Sequence, residues 1–570
     1  MATTAAEGTT VADSYLRRLA DSGITHFFAN AGTDFAPLIE AFAKAQALGT
    51  PVPKPIAVPH ENVAVAMAMG YYLAGGKPAA VMVHTNVGTA NGICSLLNSA
   101  RLNIPMLFSA GRTPINETGP HGSRSIDIHW TQEMFDQAGM VREAVKWDYE
   151  LRSPYQVDSV VDRALNVAMA EPRGPVYLTL PREVLATAMP AIDSKPAAYS
   201  VHATVPYPDP AAIEQVAALL AEARNPLIIT AFLGADHAAV AALAKLTEDW
   251  AIPVISYRSR SVCLPSSHPM NFGRDHDESF KEADLILVVD CAVPWIPARQ
   301  TPRPSAKVAH IGVDPHYIDH PIRGFQADVA ITAASRTALA ALSAAAEGRR
   351  ESASERIAAR RTMLAERQAA AAKRRAAKLE KAKSAPAITP ALVSYHLGLL
   401  KPEDAIVIRE SPLDFDFVDF NLPGTMLGGS SGLGWGLGGA IGAKIAAPDK
   451  LVICTQGDGT YMFGNPLSAH FVARAQDAPF LTIIFNNMKW NAVSRSTMGM
   501  YPNGYAAKAN REPLTHLEPS PDFEQVAISC GGYGEKVEKP EDLPGALKRA
   551  IDAVTVEKRQ AVLNIICRAA

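Results

Sequence analysis

Cysteine is scarce in this sequence, and its cysteines form none of the patterns that stabilise small extracellular domains or bind zinc. The six residues are widely scattered, and no two of them form a Cys-x-x-Cys pair. Disulfide frameworks and structural zinc sites need paired or closely spaced cysteines. We therefore predict buried, reduced thiols at Cys94, Cys263, Cys291, Cys454, Cys530 and Cys567.

Long apolar segments are absent as well. The first residues, MATTAAEGTTVADSYLRRLADSG, contain no apolar core of the kind that a signal peptide requires. No run of about 18 apolar residues, the length that crosses a membrane, occurs elsewhere in the chain. We therefore expect a cytoplasmic protein without membrane contacts.

The sequence also lacks an excess of charge of either sign. Its 54 Lys and Arg residues nearly balance its 57 Asp and Glu residues, and the net charge is −3. This balance gives no bulk attraction to nucleic acid or to an anionic membrane. The exception is the basic stretch 349–383, which could contact nucleic acid or lipid. Because no strong apolar stripe accompanies its charges, we predict a solvated connector helix there.

Short apolar runs alternate with helical patterns along the chain. Many of these runs are apolar on both faces, which is typical of parallel strands covered by helices. The alternation predicts an α/β fold with three doubly wound domains and mainly parallel sheets. Predicted strands lie at 79–85, 105–110, 174–181, 226–231, 285–290, 307–314, 405–410, 451–459, 481–487 and 561–569.

Shifts in composition mark the domain boundaries. A segment rich in proline and alanine, 186–212, leaves the first sheet, and a long helix rich in Ala, Arg, Lys and Glu, 347–384, follows the second. We predict domains at 1–190, 191–346 and 386–570, with a linker helix at 347–385.

A helix in the first domain raises a question about an acidic residue. From Val63 to Leu73 every residue is apolar or glycine, which predicts a helix buried on all sides. Glu61 nevertheless stands at the start of this helix, directly after His60. An acid in the first turn of a helix commonly interacts with the positive end of the helix dipole. That explanation is sufficient for Glu61 taken alone.

The third domain carries the most specific pattern. A strand ends in Gly457-Asp458-Gly459, a helical segment follows, and the next strand ends in Asn486-Asn487. Both motifs follow parallel strands at their carboxyl ends, where open α/β sheets bind ligands. Carboxylate and amide oxygens suit Mg2+, and flanking glycines let backbone N–H groups approach a diphosphate.

These motifs resemble the thiamine-diphosphate motif of the acetolactate synthase and benzoylformate decarboxylase family, and the resemblance extends along nearly the whole chain. It implies a pyrimidine-binding, a central and a diphosphate-binding domain. The implied Mg2+ ligands are Asp458, Asn487 and the main chain of Lys489. Further implied cofactor contacts are Ser411, Leu433, Gly457, Gly459, Thr460 and Asn487. The spacing of the motif is slightly longer than usual, which points to an insertion near 464–466.

The resemblance gives Glu61 a second explanation. In that family a glutamate in a short His-Glu motif before a buried helix binds the aminopyrimidine of thiamine diphosphate and helps to generate the reactive cofactor. The stretch VPHENVAVAMAMGYYLAG, 58–75, matches this motif. Because the two halves of each site come from two subunits in that family, the resemblance also implies a homodimer or homotetramer.

Two further residues are candidates for contact with the substrate. His84, at the end of a predicted strand in VHTNVGTANG, matches a catalytic histidine of benzoylformate decarboxylase, although a histidine there could also be purely structural. Thr33 matches a serine that binds substrate. The second catalytic histidine of that enzyme has no counterpart in VDCAVPWIPARQ, 289–300, which is closer to acetolactate synthases.

The implied activity is decarboxylation of a small 2-oxo acid, carboligation to an aldehyde or ketone acceptor, or both, with catalytic residues Glu61, His84 and Thr33. Three alternatives stay open. The first is an oxidoreductase similar to pyruvate oxidase with FAD in the central domain, where ITAFLGADHAAV lacks a clear G-x-G-x-x-G pattern. The second is an acyl-CoA lyase, and the third is a cofactor-binding protein without catalysis.

Overall fold

The structure of the chain is a computed structural model that describes residues 8–189, 203–410, 413–429, 431–509 and 511–567. It contains three β-sheets, each with helices around it. Every strand pair whose register is described is parallel. The predicted fold class is therefore confirmed.

The first sheet has six strands in the order β2-β1-β3-β4-β6-β5. Its strands and the helices between them are α1 (Val11–Asp21), β1 (His26–Ala29), α2 (Ala36–Leu48), β2 (Lys54–Ala57), α3 (Glu61–Gly75), β3 (Ala80–Val83), α4 (Thr85–Arg101), β4 (Leu107–Arg112), α5 (Ile128–Thr131), β5 (Asp148–Glu150), α6 (Val157–Met169), β6 (Val176–Pro181) and α7 (Arg182–Ala186).

The second sheet has five strands in the order β11-β10-β9-β7-β8. Its elements, with the long helix that follows, are α8 (Pro210–Glu222), β7 (Pro226–Thr230), α9 (His237–Trp250), β8 (Val254–Ile255), α10 (Glu278–Glu282), β9 (Leu285–Val289), β10 (Lys307–Gly312), β11 (Val329–Thr332), α11 (Ser335–Glu347) and α12 (Ser354–Lys383).

The third sheet has six strands in the order β13-β12-β14-β15-β17-β16. Its elements are α13 (Pro390–Leu400), β12 (Ile406–Arg409), β13 (Met426–Gly428), α14 (Gly436–Ala446), β14 (Val452–Gly457), α15 (Asp458–Phe463), α16 (Pro466–Ala475), β15 (Leu481–Asn486), α17 (Asn491–Met500), α18 (Tyr505–Ala509), α19 (Glu524–Ser529), β16 (Tyr533–Val537), α20 (Leu543–Thr555) and β17 (Ala561–Ile566).

The chain packs into two compact units, and the predicted site residues that the structure describes all belong to one of them. That unit contains the described parts of 1–203, 429–536 and 549–565. The other contains the described parts of 204–428, 537–548 and 566–570. The domain boundaries proposed from composition stay a prediction.

The basic stretch forms the long helix α12, which packs within its own unit through a few residues. Ile357 and Leu364 are buried in the core of the second sheet. Arg360 is buried with them and donates hydrogen bonds to the carbonyl oxygens of Trp250 (2.6 Å) and Ala223 (3.2 Å). The remaining basic residues are mostly exposed, in keeping with a solvated connector. No helix in the described part of the chain is long and apolar enough to cross a membrane.

Candidate functional site

Glu61 is the first residue of α3, and its carboxylate is not used as a helix cap. The cap is formed by His60, whose ring nitrogen accepts a hydrogen bond from the backbone N–H of Asn62 (3.2 Å). Glu61 is only 8% exposed, and its Oε2 accepts a hydrogen bond from Asn91 Nδ2 on α4 (3.1 Å). Within the described residues no basic side chain forms an ion pair with it. The carboxylate therefore does not cap the helix, although its place in the first turn keeps it at the positive end of the helix dipole.

His84 follows β3 directly, and its ring is bound to an acid that sequence analysis did not single out. Its Nδ1 lies 2.5 Å from Oδ1 of Asp34, which is 3% exposed. The two residues meet because β1 and β3 are adjacent parallel strands whose carboxyl ends coincide. The hydrogen bond to Asp34 raises the pKa of His84 above its ordinary value, against the opposing effect of burial.

Thr33 lies beside this pair, in the single turn of 3-10 helix Thr33–Phe35 that follows β1. Its side chain is exposed, and its carbonyl oxygen lies 3.5 Å from Nη1 of Arg182. The residue is therefore open to solvent at this edge of the sheet.

The predicted Mg2+ ligands lie at the carboxyl ends of two adjacent strands of the third sheet. β14 and β15 are parallel neighbours, and Asp458 and Asn487 follow them directly. The backbone N–H of Lys489 donates to both Asp458 Oδ2 (3.1 Å) and Asn487 Oδ1 (3.0 Å). The carbonyl oxygen of Lys489 accepts from the N–H of Asn491 (2.8 Å), and a second lone pair remains for another partner.

The electrostatics of Asp458 fit a bound cation. The residue is 3% exposed, and in the described part of the chain it has no ion pair. Burial raises the pKa of its carboxyl above the ordinary value, although the N–H groups of Gly459 and Lys489 oppose that shift. A buried carboxylate without a cationic partner is unfavourable. An Mg2+ ion among these hard oxygen donors would supply that partner.

Gly459 leaves room for an aromatic ring beside the motif. A Cβ atom at this position would lie 2.5 Å from the ring of Trp490. Thr460, the next residue, is also buried, and Gly457 ends β14 with extended backbone. The ring of Trp490 thus packs directly on the backbone of the Gly-Asp-Gly turn.

Replacing Gly459 by alanine is expected to weaken binding of the cofactor that the sequence motifs imply. The added methyl group must push away either Trp490 or the turn that carries Asp458. We expect the dissociation constant for thiamine diphosphate with Mg2+ to rise by about tenfold or more, because misplaced ligands lose coordination geometry. Isothermal titration calorimetry measures this constant. Gly499→Ala is the control, because nothing lies within 4 Å of a Cβ there; equal affinity in both variants would contradict the prediction.

Leu433 lies in the loop before α14, at the same end of a helix pair as Glu61. α14 packs closely on α3. A Cβ at Gly438 would lie 2.7 Å from the carbonyl oxygen of Val63, one at Gly442 would lie 1.9 Å from that of Met67, and one at Gly75 would lie 3.1 Å from Cβ of Ala446. The contacts advance along both helices together, so that the helices run in the same direction. Their N-terminal ends are therefore neighbours.

The loop that carries Leu433 is attached to α4 by a buried asparagine. Asn98 Oδ1 accepts from the backbone N–H groups of Ser431 (2.9 Å) and Gly432 (2.8 Å), and its Nδ2 donates to the carbonyl of Gly432 (2.9 Å). Cys94 Sγ donates to the carbonyl of Leu433 (3.7 Å). The Leu433 side chain is left 39% exposed, available to contact a ligand.

The structure thus brings some of the predicted residues together and leaves others apart. Asp458, Asn487 and Lys489 form one cluster, and Thr33 and His84 lie at the end of another sheet. Among the described residues no hydrogen bond or ion pair joins Glu61 or His84 to the Asp458 cluster. Ser411 lies outside the described residues.

Sequence analysis missed three polar residues of these clusters. Asp34, Asn91 and Asn98 each bind a residue that is distant in the sequence. Asn91 and Asn98 also lie on a helix, α4, where no recognisable motif marks them. Asp34 had the clearest signal in the sequence, because it is an acid directly after Thr33, at the end of an apolar segment.

Comparisons with known protein families give matches in three consecutive parts of the chain. Three domain families described as thiamine pyrophosphate enzyme match it: the N-terminal TPP binding domain at 9–140, the central domain at 213–342 and the C-terminal TPP binding domain at 415–565.

Similar proteins align with this chain over most of its length. The acetolactate synthase large subunit of Mycobacterium tuberculosis is 25% identical, over 89% of this chain and 87% of its own. The benzoylformate decarboxylase of Pseudomonas aeruginosa is 27% identical, over 93% and 94%. The crystal structure of benzoylformate decarboxylase from Polynucleobacter necessarius superimposes with a TM-score of 0.78 at 20% identity, covering 98% of this chain and 99% of that one.

Proposed function

Because the chain belongs to the thiamine pyrophosphate enzyme family, we propose that it binds thiamine diphosphate with Mg2+ and decarboxylates a small 2-oxo acid. The product leaves as an aldehyde or is joined to a second carbonyl compound as an acyloin. The observation that carries this proposal is the convergence of Asp458 and Asn487 on the backbone N–H of Lys489, where Asp458 is a buried carboxylate that forms no ion pair with any described basic side chain.

The residues divide between holding the cofactor and moving protons. Asp458, Asn487 and the carbonyl of Lys489 would hold Mg2+. Thiamine diphosphate, when bound, supplies an electron sink that lets the 2-oxo acid lose CO2. Glu61 provides a buried carboxylate that can share a proton with the cofactor's pyrimidine. The hydroxyl of Thr33 binds the substrate, and His84 exchanges a proton with it through Nε2, since Nδ1 is engaged by Asp34.

The flavin alternative gains no support from the central domain. A glycine after the first strand of a dinucleotide-binding domain lets the cofactor approach the backbone. Gly234, after β7, is instead packed against the chain itself, because a Cβ there would lie 2.1 Å from the carbonyl oxygen of Val262. The following helix, α9, is capped by the carboxylate of Asp236, which accepts from the N–H of Ala238 (3.0 Å). A capping carboxylate stands where the diphosphate of a dinucleotide would bind a helix N-terminus.

We also expect a homodimer or homotetramer. Exposed apolar side chains lie on and beside α16, namely Phe463, Leu467 and Phe471, each about half exposed or more. Clusters of this kind on a surface mark protein interfaces. Light scattering on the purified protein measures the assembly, and a monomer would contradict this part of the proposal.

The activity is tested by measuring CO2 release with thiamine diphosphate and Mg2+ present. Pyruvate, longer 2-oxo acids and benzoylformate are compared, and the products are identified by mass spectrometry. CO2 release from one of these acids supports the proposal, and the aldehyde-to-acyloin ratio separates decarboxylase from carboligase. A protein that binds the cofactor but releases no CO2 from any acid would contradict it.

A further inference from the structure

The pair formed by Asp34 and His84 lies where the neighbouring strands β1 and β3 of the first sheet end. Asp34 Oδ1 lies 2.5 Å from His84 Nδ1, and Asp34 Oδ2 lies 3.4 Å from the backbone N–H of Thr85. One carboxylate therefore fixes both the ring and the backbone at the point where β3 becomes α4.

Two glycines confine this pair. A Cβ at Gly32 would lie 2.2 Å from Cγ and Nδ1 of His84, and a Cβ at Gly111 would lie 1.7 Å from Oδ2 of Asp34. Any side chain at either position would displace the ring or the carboxylate. The backbone after β1 and at the end of β4 therefore confines both side chains, and the contact between them does not depend on a freely chosen rotamer.

The groups around His84 act on its charge in opposite directions. Asp34 and, more weakly, Glu61 favour the protonated ring, and the side chain of Gln132 adds a hydrogen bond. Burial opposes protonation of His84. The charge of His84 in turn contributes to the lowered pKa of His129, because like charges repel. The outcome is a raised pKa for His84.

Arg182 carries a permanent positive charge in this region, and it interacts electrostatically with Asp34 and His129. Its side chain donates to the backbone carbonyls of Gly122 (2.9 Å) and Ser123 (2.7 Å). Among the described residues no ion pair joins Arg182 to Asp34, whose carboxylate contacts the His84 ring and the backbone N–H of Thr85.

We propose that Asp34 is a positioning residue that holds His84 as a proton donor through Nε2, and thereby directs the reaction to an aldehyde instead of an acyloin. This inference rests on the proposed decarboxylation. The proton leaves Nε2 and forms a C–H bond with the electron pair left on the carbon that has lost CO2. His84 becomes neutral, keeps the Nδ1 proton donated to Asp34, and regains its second proton from water. Prompt protonation of that carbon prevents its addition to a second carbonyl group.

The sign of the pH dependence follows from the donor role. His84 can donate only when it is protonated, so activity falls as pH rises through its pKa. Asp34 raises that pKa and extends the active range upward. Removing the charge of Asp34 is expected to move the descending limb of the kcat profile to lower pH.

The test uses Asp34→Asn, which preserves the shape of the side chain and removes its charge. The pKa of His84 is measured in the cofactor-free protein by deuterium exchange at the imidazole Cε1 position, read by mass spectrometry of peptides. In Asp34→Asn this pKa should fall below that of the wild type. In the loaded enzyme kcat at neutral pH should drop by about 10- to 100-fold, with partial recovery at lower pH and a larger acyloin fraction.

A matched control separates this role from general stability. Asp162 is another buried acid of the same sheet region, and it pairs with Arg18 at Nε (2.7 Å). Asp162→Asn should lower thermal stability without moving the His84 pKa or the product ratio.

Each outcome decides the inference. An unchanged His84 pKa in Asp34→Asn overturns the role of Asp34, and a lowered pKa with an unchanged pH profile and product ratio overturns proton delivery. If Asp34→Asn does not fold, a wild-type His84 pKa at or below the ordinary value overturns the inference by itself. A wild-type protein without CO2 release overturns the proposed function, which is a different failure from an unchanged pKa.

Discussion

Replacing Glu61 by glutamine is expected to lower kcat by about 10²- to 10⁴-fold, the range that a positioned acid or base contributes. Glutamine keeps the shape of the side chain and can still accept the hydrogen bond from Asn91. It cannot take up or share a proton as a carboxylate does. Glu61→Ala removes the group altogether and should abolish turnover while leaving Mg2+ binding nearly intact. Steady-state kinetics measure the effect.

The fold should tolerate the Glu61 substitutions, because the cap of α3 comes from His60. Thermal melting and circular dichroism check this point. Glu40→Gln, an exposed acid on α2, serves as the control and should retain full activity. Turnover of Glu61→Gln at the wild-type rate would end the proposed role of this carboxylate.

Replacing Asp458 by asparagine is expected to raise the dissociation constant for thiamine diphosphate in the presence of Mg2+ by more than about 100-fold. Loss of a charged group that binds the metal directly should lower the affinity at least as much as loss of a group that only positions a ligand. The cofactor-free variant should melt no lower than the wild type, since the substitution removes a buried charge that pairs with no basic side chain in the part of the chain that the structure describes. Calorimetric titration and thermal melting measure the two quantities.

The opposite directions of these two effects make the Asp458 prediction specific. A variant that merely disturbed the fold would lose both affinity and stability. Asp477→Asn is the control, because Asp477 is exposed in the same domain and its left-handed backbone, φ 47°, suits asparagine. Undiminished cofactor affinity in Asp458→Asn would show that the cation, if bound, uses other ligands.

The sequence by itself determined the parts of this protein that depend on local pattern. The uninterrupted apolar run of α3 specified a buried helix, and the structure buries every residue from Glu61 to Tyr71. The apolar strands of the sheet centres were found for the same reason. The Gly-Asp-Gly and Asn-Asn motifs could be assigned to one site because they end consecutive parallel strands, whose carboxyl ends must meet.

Short or half-exposed strands escaped sequence analysis. β2, KPIA, has one buried residue, and β5, DYE, has none that is fully buried. Such segments carry no period that distinguishes a strand from a loop. They become strands only because a neighbouring strand supplies hydrogen-bonding groups. Tertiary packing determines which strand is the neighbour.

Only the tertiary structure decided which polar groups meet at the candidate site. The sequence placed His84 at a strand end, but its partner Asp34 lies fifty positions earlier and approaches because β1 and β3 are neighbours in the sheet. Asn98 likewise holds residues of a loop more than three hundred positions away. Local pattern specifies secondary structure, whereas the charge and hydrogen bonding of a side chain depend on whatever group the fold brings within about 3 Å of it.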